Sequence, residues 1–157
     1  MNNLNNDFLE IQNKLKYKFN DVSHLALALT HSSYANEYKK DQLNSNERIE
    51  FLGDTVLNMV ISDKLYNDYL ELSEGQLTKI RSNIVCEASL LKCANNLDLG
   101  KYLFLGKGEE LTGGRMRSSI LSDTFECIIG AIYLDGGLES VKKFIYSNME
   151  NLIKEFI

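Results

Sequence analysis

The chain has no proline in its 157 residues, so no helix interior is interrupted by the residue that most reliably breaks one. It has no excess of positive charge either. The formal net charge of −5 excludes a protein that holds nucleic acid through overall basicity, and any such partner must be met by local basic groups or by metal. No apolar run reaches the roughly 18 residues that a membrane span needs, so no membrane partner is expected. The polar start MNNLNND lacks the charge, apolar stretch and small residues of a signal peptide, and a cytoplasmic location is expected. Cysteine and histidine are scarce. Cys86, Cys93 and Cys127 form no Cys-x-x-Cys pair and lie far from His24 and His31, which excludes zinc-site spacing and argues against a disulfide framework. All three cysteines read as small buried apolar groups.

What is present suits one domain with a real core: 44% of the residues are hydrophobic and 25% charged. Apolar residues recur at three and four, as in Phe8, Ile11, Leu15 and in Leu77, Ile80, Ile84, Ala88, Leu91, which is helical spacing. Helices are predicted at roughly 5–17, 21–29, 45–68, 74–93, 117–134 and 137–155. Asn44 with Glu47, and Ser73 with Gln76, have capping-box form. The segment 100–116, with five glycines and no sustained period, reads as a loop. The predicted fold class is all-α, in a single domain over 1–157.

Two stretches carry chemistry. In Asn46-Glu47-Arg48-Ile49-Glu50-Phe51-Leu52-Gly53-Asp54, the acids at 47, 50 and 54 fall within an arc of roughly 60° on one helix face. Like charges so placed repel unless a cation or partner compensates, although a solvated acidic face has the same spacing. Gly53, mid-helix, costs about 1 kcal/mol relative to alanine, which predicts a close approach by another element. Glu47 also suits a capping box. The second stretch, residues 119–134, is strongly apolar and carries only Asp123 and Glu126, one turn apart. Carboxylates in such surroundings need an ion, or a buried pair with an arginine such as Arg48 or Arg81. Two helices with inward acids and no nitrogen or sulfur ligands make an all-oxygen site suited to Mg²⁺ or Mn²⁺ and to phosphodiester or phosphoanhydride hydrolysis.

The block NERIEFLGD closely resembles the signature of bacterial ribonuclease III, the double-stranded-RNA endonuclease. The resemblance continues collinearly through Thr30-His31-Ser32-Ser33-Tyr34-Ala35-Asn36-Glu37, Ser73-Glu74-Gly75, Gly113-Gly114-Arg115, Ser122-Asp123-Thr124-Phe125-Glu126 and Gly130 to Gly137. It implies a helical nuclease domain acting as a homodimer. It further implies Mg²⁺, with Mn²⁺ able to substitute, held by Glu50, Asp123 and Glu126, with Asp54 and Glu126 in the active centre. Glu47 and Glu74 look like accessory acids, and Phe51 like an aromatic knob that enters a pocket on the partner subunit. Core packing for Phe51 and a helix-dipole role for Glu74 are the plainer readings. Ser122 and Cys127 stand where the family usually has alanine.

The implied activity is hydrolysis of double-stranded RNA to 5′-phosphate and 3′-hydroxyl ends with short 3′ overhangs, in rRNA and mRNA processing. Lys79, Arg81, Lys107, Arg115 and Arg117 are the basic residues placed near the phosphates, where shape and 2′-hydroxyls matter more than base identity. Family members usually carry a further double-stranded-RNA-binding domain, which this chain does not contain, so a nuclease-domain portion is expected. Two rivals remain. An all-helical Mg²⁺-dependent nucleotide pyrophosphohydrolase would lack the collinear blocks. A silent RNA-binding scaffold would be marked by loss of Glu50, Asp54, Asp123 or Glu126, and all four are here.

Overall fold

The computed structural model describes residues 2–39 and 41–157, and the expectation of an all-α chain is borne out among them. The helices are α1 (Asn2–Leu15), α2 (Val22–Ala28), the single turn α3 (Ser32–Tyr34), α4 (Glu47–Asp68), α5 (Glu74–Ile84), α6 (Glu87–Asn96), the short α7 (Lys107–Leu111) and α8 (Ser118–Phe156). A π-helical turn, Ala35–Lys39, follows α3. Among the described residues the nearest thing to a sheet is one parallel bridge, Thr30 with Phe104.

The first half of α8 is the centre of the molecule. Ile120, Leu121, Phe125, Ile128, Ile129 and Ile132 bury nearly its whole circumference, as an all-round apolar helix must. α4, α6, α2 and α5 pack against it. Each such side chain, once fully buried, contributes roughly 1.5–3 kcal/mol. Gly137 (φ 80°, ψ −174°) kinks α8 where two separate helices are expected, a conformation that a side chain would make costly. Just before the kink, the Asp135 carboxylate accepts hydrogen bonds from the Tyr17 hydroxyl (2.6 Å), Asn20 N–H (2.9 Å) and Asp21 N–H (2.8 Å), tying the end of α1 to α8.

The structure corrects three expectations. The span 74–93 is two helices, because the Ser89 hydroxyl (2.8 Å) and the Cys86 thiol (3.2 Å) both donate to the Asn83 carbonyl and take over a backbone acceptor at the junction. The Ser73–Gln76 capping box at the start of α5 is present as expected. Cys86 is exposed, whereas Cys93 and Cys127 are buried. The segment 100–116 is not a plain loop: it contains α7 and turns of 3₁₀-helix at Leu99–Tyr102 and Gly114–Met116. Its order comes from side-chain clamps, which leave no periodic trace. The Arg115 guanidinium donates to the carbonyls of Gly100 (2.7 Å) and Leu103 (2.9 Å) and pairs with Glu110 (2.6 Å).

Candidate active site

The site begins where the chain enters α4. Asn46 donates its backbone N–H to the Thr30 carbonyl (2.9 Å) and its amide to the Ala28 carbonyl (3.1 Å), while its own carbonyl accepts from the Cys127 thiol (3.5 Å). These bonds pin the first turn of α4 to the end of α2 and to α8. The expected Asn44 cap is not formed, since the Asn44 amide donates to Asp41 (2.7 Å) and α4 starts after Asn46 without a side-chain cap from it. Glu47 is therefore exposed and free of the capping role its position suggested.

α4 and α8 then cross at two glycines. A Cβ on Gly53 would stand 1.9 Å from the Glu126 carbonyl oxygen, and one on Gly130 would stand 2.5 Å from the Ile49 carbonyl oxygen. The backbones are in direct contact, which is the close approach that a mid-helix glycine foretold. This contact brings the acids of two distant segments together. Carboxylate oxygens of Glu50, Asp123 and Glu126 all lie within 4.8 Å of one another, each residue half-buried.

Among the described residues no lysine or arginine forms an ion pair with Glu50, Asp123 or Glu126, so the alternative of a buried pair with Arg48 or Arg81 is not realised. Arg81 instead donates to the Ser62 hydroxyl (2.8 Å). Burial, reinforced by Asp54, Asp123 and Glu50, pushes the Glu126 carboxyl up to about 8. Burial with Asp123, Glu47 and Asp54 raises Glu50 to about 6, and burial with Glu87 raises Asp123. Asp54, exposed one turn beyond Glu50, belongs to the same field, and its Oδ1 accepts from the Asn58 amide (2.9 Å). The donor set is all oxygen and unneutralised, which fits a hard divalent cation.

A family profile described as ribonuclease-III-like matches residues 21–153 of this chain. The chain is 52% identical to ribonuclease 3 of Clostridium tetani over 95% of its own length and 63% of the relative's. To ribonuclease 3 of Syntrophomonas wolfei it is 53% identical, over 94% and 61%. The chain belongs to the ribonuclease III family. It spans about three fifths of the length of these curated relatives. The nuclease domain of ribonuclease III from Campylobacter jejuni, a structure concerned with flexibility in the region involved in dimer formation, superposes with a TM-score of 0.81 at 40% identity, over 90% of this chain and 97% of that one.

The acid cluster is expected to make the stability of the chain depend on pH. The raised carboxyls hold protons in the folded state that the unfolded chain, titrating near 4.5, has released, so stability is lost as pH rises from about 4.5 through about 8. Partial solvation screens the repulsion, leaving about 2 kcal/mol, or a fall of ~5 °C in Tm between pH 5.5 and 8.5 for the metal-free protein. Millimolar Mg²⁺ is expected to restore the Tm at pH 8.5. Calorimetry with and without EDTA checks this, and a flat metal-free profile would contradict it.

The other expected site residues stand outside the three-carboxylate cluster. Glu74 stands apart at the first position of α5, accepting from the Thr78 hydroxyl (3.0 Å) and sharing a groove with Ser62, Tyr66 and Arg81. Phe51 is 80% exposed, so the plainer reading of it as core fails. Lys79 and Lys107 are exposed, whereas Arg115 is spent on the clamp described above and Arg117 pairs with Glu109. Sequence reasoning passed over Asn58 and His31. Asn58 carried a signal only in its four-residue offset from Asp54, and His31 in being one of two histidines and in belonging to the Thr30–Glu37 block.

Proposed function

We propose that this domain hydrolyses phosphodiester bonds of double-stranded RNA, with Mg²⁺, or Mn²⁺ in its place, held by Glu50, Asp123 and Glu126. The observation that carries the reading is the cluster of three carboxylates, which no lysine or arginine among the described residues pairs with. When bound, the ion would neutralise phosphate charge and lower the pKa of a water. With its Oδ1 engaged by Asn58, Asp54 would hold the attacking water at Oδ2, and Glu126 would share the active centre. Glu47 and Glu74 are the accessory acids, and Lys79, Arg81 and Lys107 the basic residues of the RNA face, since Arg115 and Arg117 are engaged by Glu110 and Glu109. In-line attack on phosphorus leaves 5′-phosphate and 3′-hydroxyl ends, and two sites of opposite polarity leave short 3′ overhangs. The setting would be rRNA and mRNA processing in the cytoplasm.

Two strands require two clusters, which a two-fold homodimer supplies. Phe51 supports this, because so exposed a ring, at the edge of a groove lined by Leu27, Leu43, Ile49, Leu52 and Leu134, would suit insertion into the same groove of a second copy. Phe51→Ala removes two symmetric ring burials of roughly 1.5–3 kcal/mol each, so the dimer Kd is expected to rise about 10²- to 10⁴-fold. Sedimentation at micromolar concentration reads it, and an unchanged Kd would remove Phe51 from the interface. The activity itself is tested with an end-labelled RNA duplex at low salt. Cleavage that requires Mg²⁺ and spares free nucleoside triphosphates supports the reading, and binding without cutting in Mg²⁺ or Mn²⁺ opposes it.

A further inference from the structure

The His31 ring sits in a short hydrogen-bond chain that settles which nitrogen carries its proton. Gly106 N–H donates to the Ser33 hydroxyl oxygen (2.9 Å), which lies 2.7 Å from His31 Nδ1. The Ser33 backbone N–H donates to the same Nδ1 (3.2 Å). Because the Ser33 N–H needs an acceptor at Nδ1, the neutral ring carries its proton on Nε2, and the Ser33 O–H is then free to donate to Nδ1 as well. As the N-cap of α3, His31 needs only an acceptor, which serine, threonine, asparagine or aspartate provides more commonly. Capping therefore accounts for Nδ1 and leaves Nε2–H without a structural task.

His31 lies beside the entry to α4, next to the acid cluster. His31 N–H donates to the Phe104 carbonyl (3.1 Å), and the preceding Thr30 carbonyl accepts from Asn46 N–H (2.9 Å), one residue before Glu47. The charges that face the ring are the carboxylates of Glu47 and Asp123 and the guanidinium of Arg117. A phosphate bound through a cation at Glu50, Asp123 and Glu126 would bring its non-bridging oxygens to this side of the site as acceptors for the Nε2–H.

We infer that His31 is a substrate-binding residue whose Nε2–H donates to a non-bridging oxygen of the phosphate held at Glu50, Asp123 and Glu126, an inference that rests on the proposed hydrolysis of RNA. The test is single-turnover cleavage of an end-labelled RNA duplex in Mg²⁺ over a series of enzyme concentrations, with wild type, His31→Ala and His31→Gln. The rate of His31→Ala at saturating enzyme is expected to fall about 10²-fold, with half-saturation changed less than about threefold. His31→Gln, whose amide N–H reaches the place of Nε2–H, is expected to stay within about fivefold of wild type. The Mg²⁺-induced rise in Tm should be the same in all three, which separates lost contact from lost fold. An alanine variant as fast as wild type, or a glutamine variant as slow as alanine, would overturn the assignment, as would imidazole ¹⁵N shifts that put the proton on Nδ1. Failure of the wild type to cut at all would instead strike the hydrolysis reading.

Discussion

Glu126→Gln is expected to lower cleavage of duplex RNA by about 10²- to 10³-fold or more while making the metal-free protein more stable at pH 8. The two effects have one cause. Glu126 is the most strongly perturbed acid of the cluster, its carboxyl pushed up to about 8 by burial and by Asp54, Asp123 and Glu50. Glutamine keeps the shape, removes the charge that a cation would neutralise, and ends the repulsion. Metal-free Tm should therefore rise by a few degrees at pH 8, and the stabilisation by millimolar Mg²⁺ should largely vanish. Single-turnover cleavage and calorimetry on one preparation read both. A variant that cuts within tenfold of wild type, or gains no stability, would remove Glu126 from the centre of the site.

The second large effect is expected far from any charge. Gly53→Ala places a Cβ 1.9 Å from the Glu126 carbonyl oxygen and 2.7 Å from its carbonyl carbon, both backbone atoms that cannot swing aside. α4 and α8 must separate by about 1 Å, and overpacking of this kind costs about 2–4 kcal/mol against the ~1 kcal/mol that alanine returns in helix propensity. The net expectation is a fall of about 5 °C in Tm. Displacing ligands by about 1 Å is expected to cost about 10²-fold in cleavage as well. Gly130→Ala, facing the Ile49 carbonyl oxygen at 2.5 Å, should behave alike. Gly75→Ala is the control: nothing lies within 4 Å of its Cβ position in α5, so it should leave cleavage unchanged and should not lower the Tm. Normal activity and Tm in Gly53→Ala would mean that the crossing does not set the ligand geometry.

Features that depend on residues close in sequence were legible before any fold. The period of three and four located most of the helices, Ser73 and Gln76 marked the start of α5, and Gly53 announced a close neighbour by standing where a helix pays for it. The four principal acids could be read from their spacing on two apolar helices and from the resemblance of their surroundings to ribonuclease III. Local rules failed where a distant group competes for the same atoms. Asn44 lost its cap because Asp41 holds its amide, and α4 starts later because Asn46 bonds to Thr30 and Ala28. The helix after Glu74 breaks because Ser89 and Cys86 occupy the Asn83 carbonyl.

Composition and periodicity were enough for an all-α chain with acids on two helices, because propensity and amphipathic patterning act over a few residues. They could not say that Glu50, with Asp123 and Glu126, lies within 4.8 Å, that Phe51 faces outward, or that Arg115 turns inward. Those outcomes follow from the glycine crossing of α4 and α8 and from clamps between segments far apart along the chain. Burial and mutual repulsion perturb the carboxyls only once packing has brought them together, so their chemistry is a property of the folded chain.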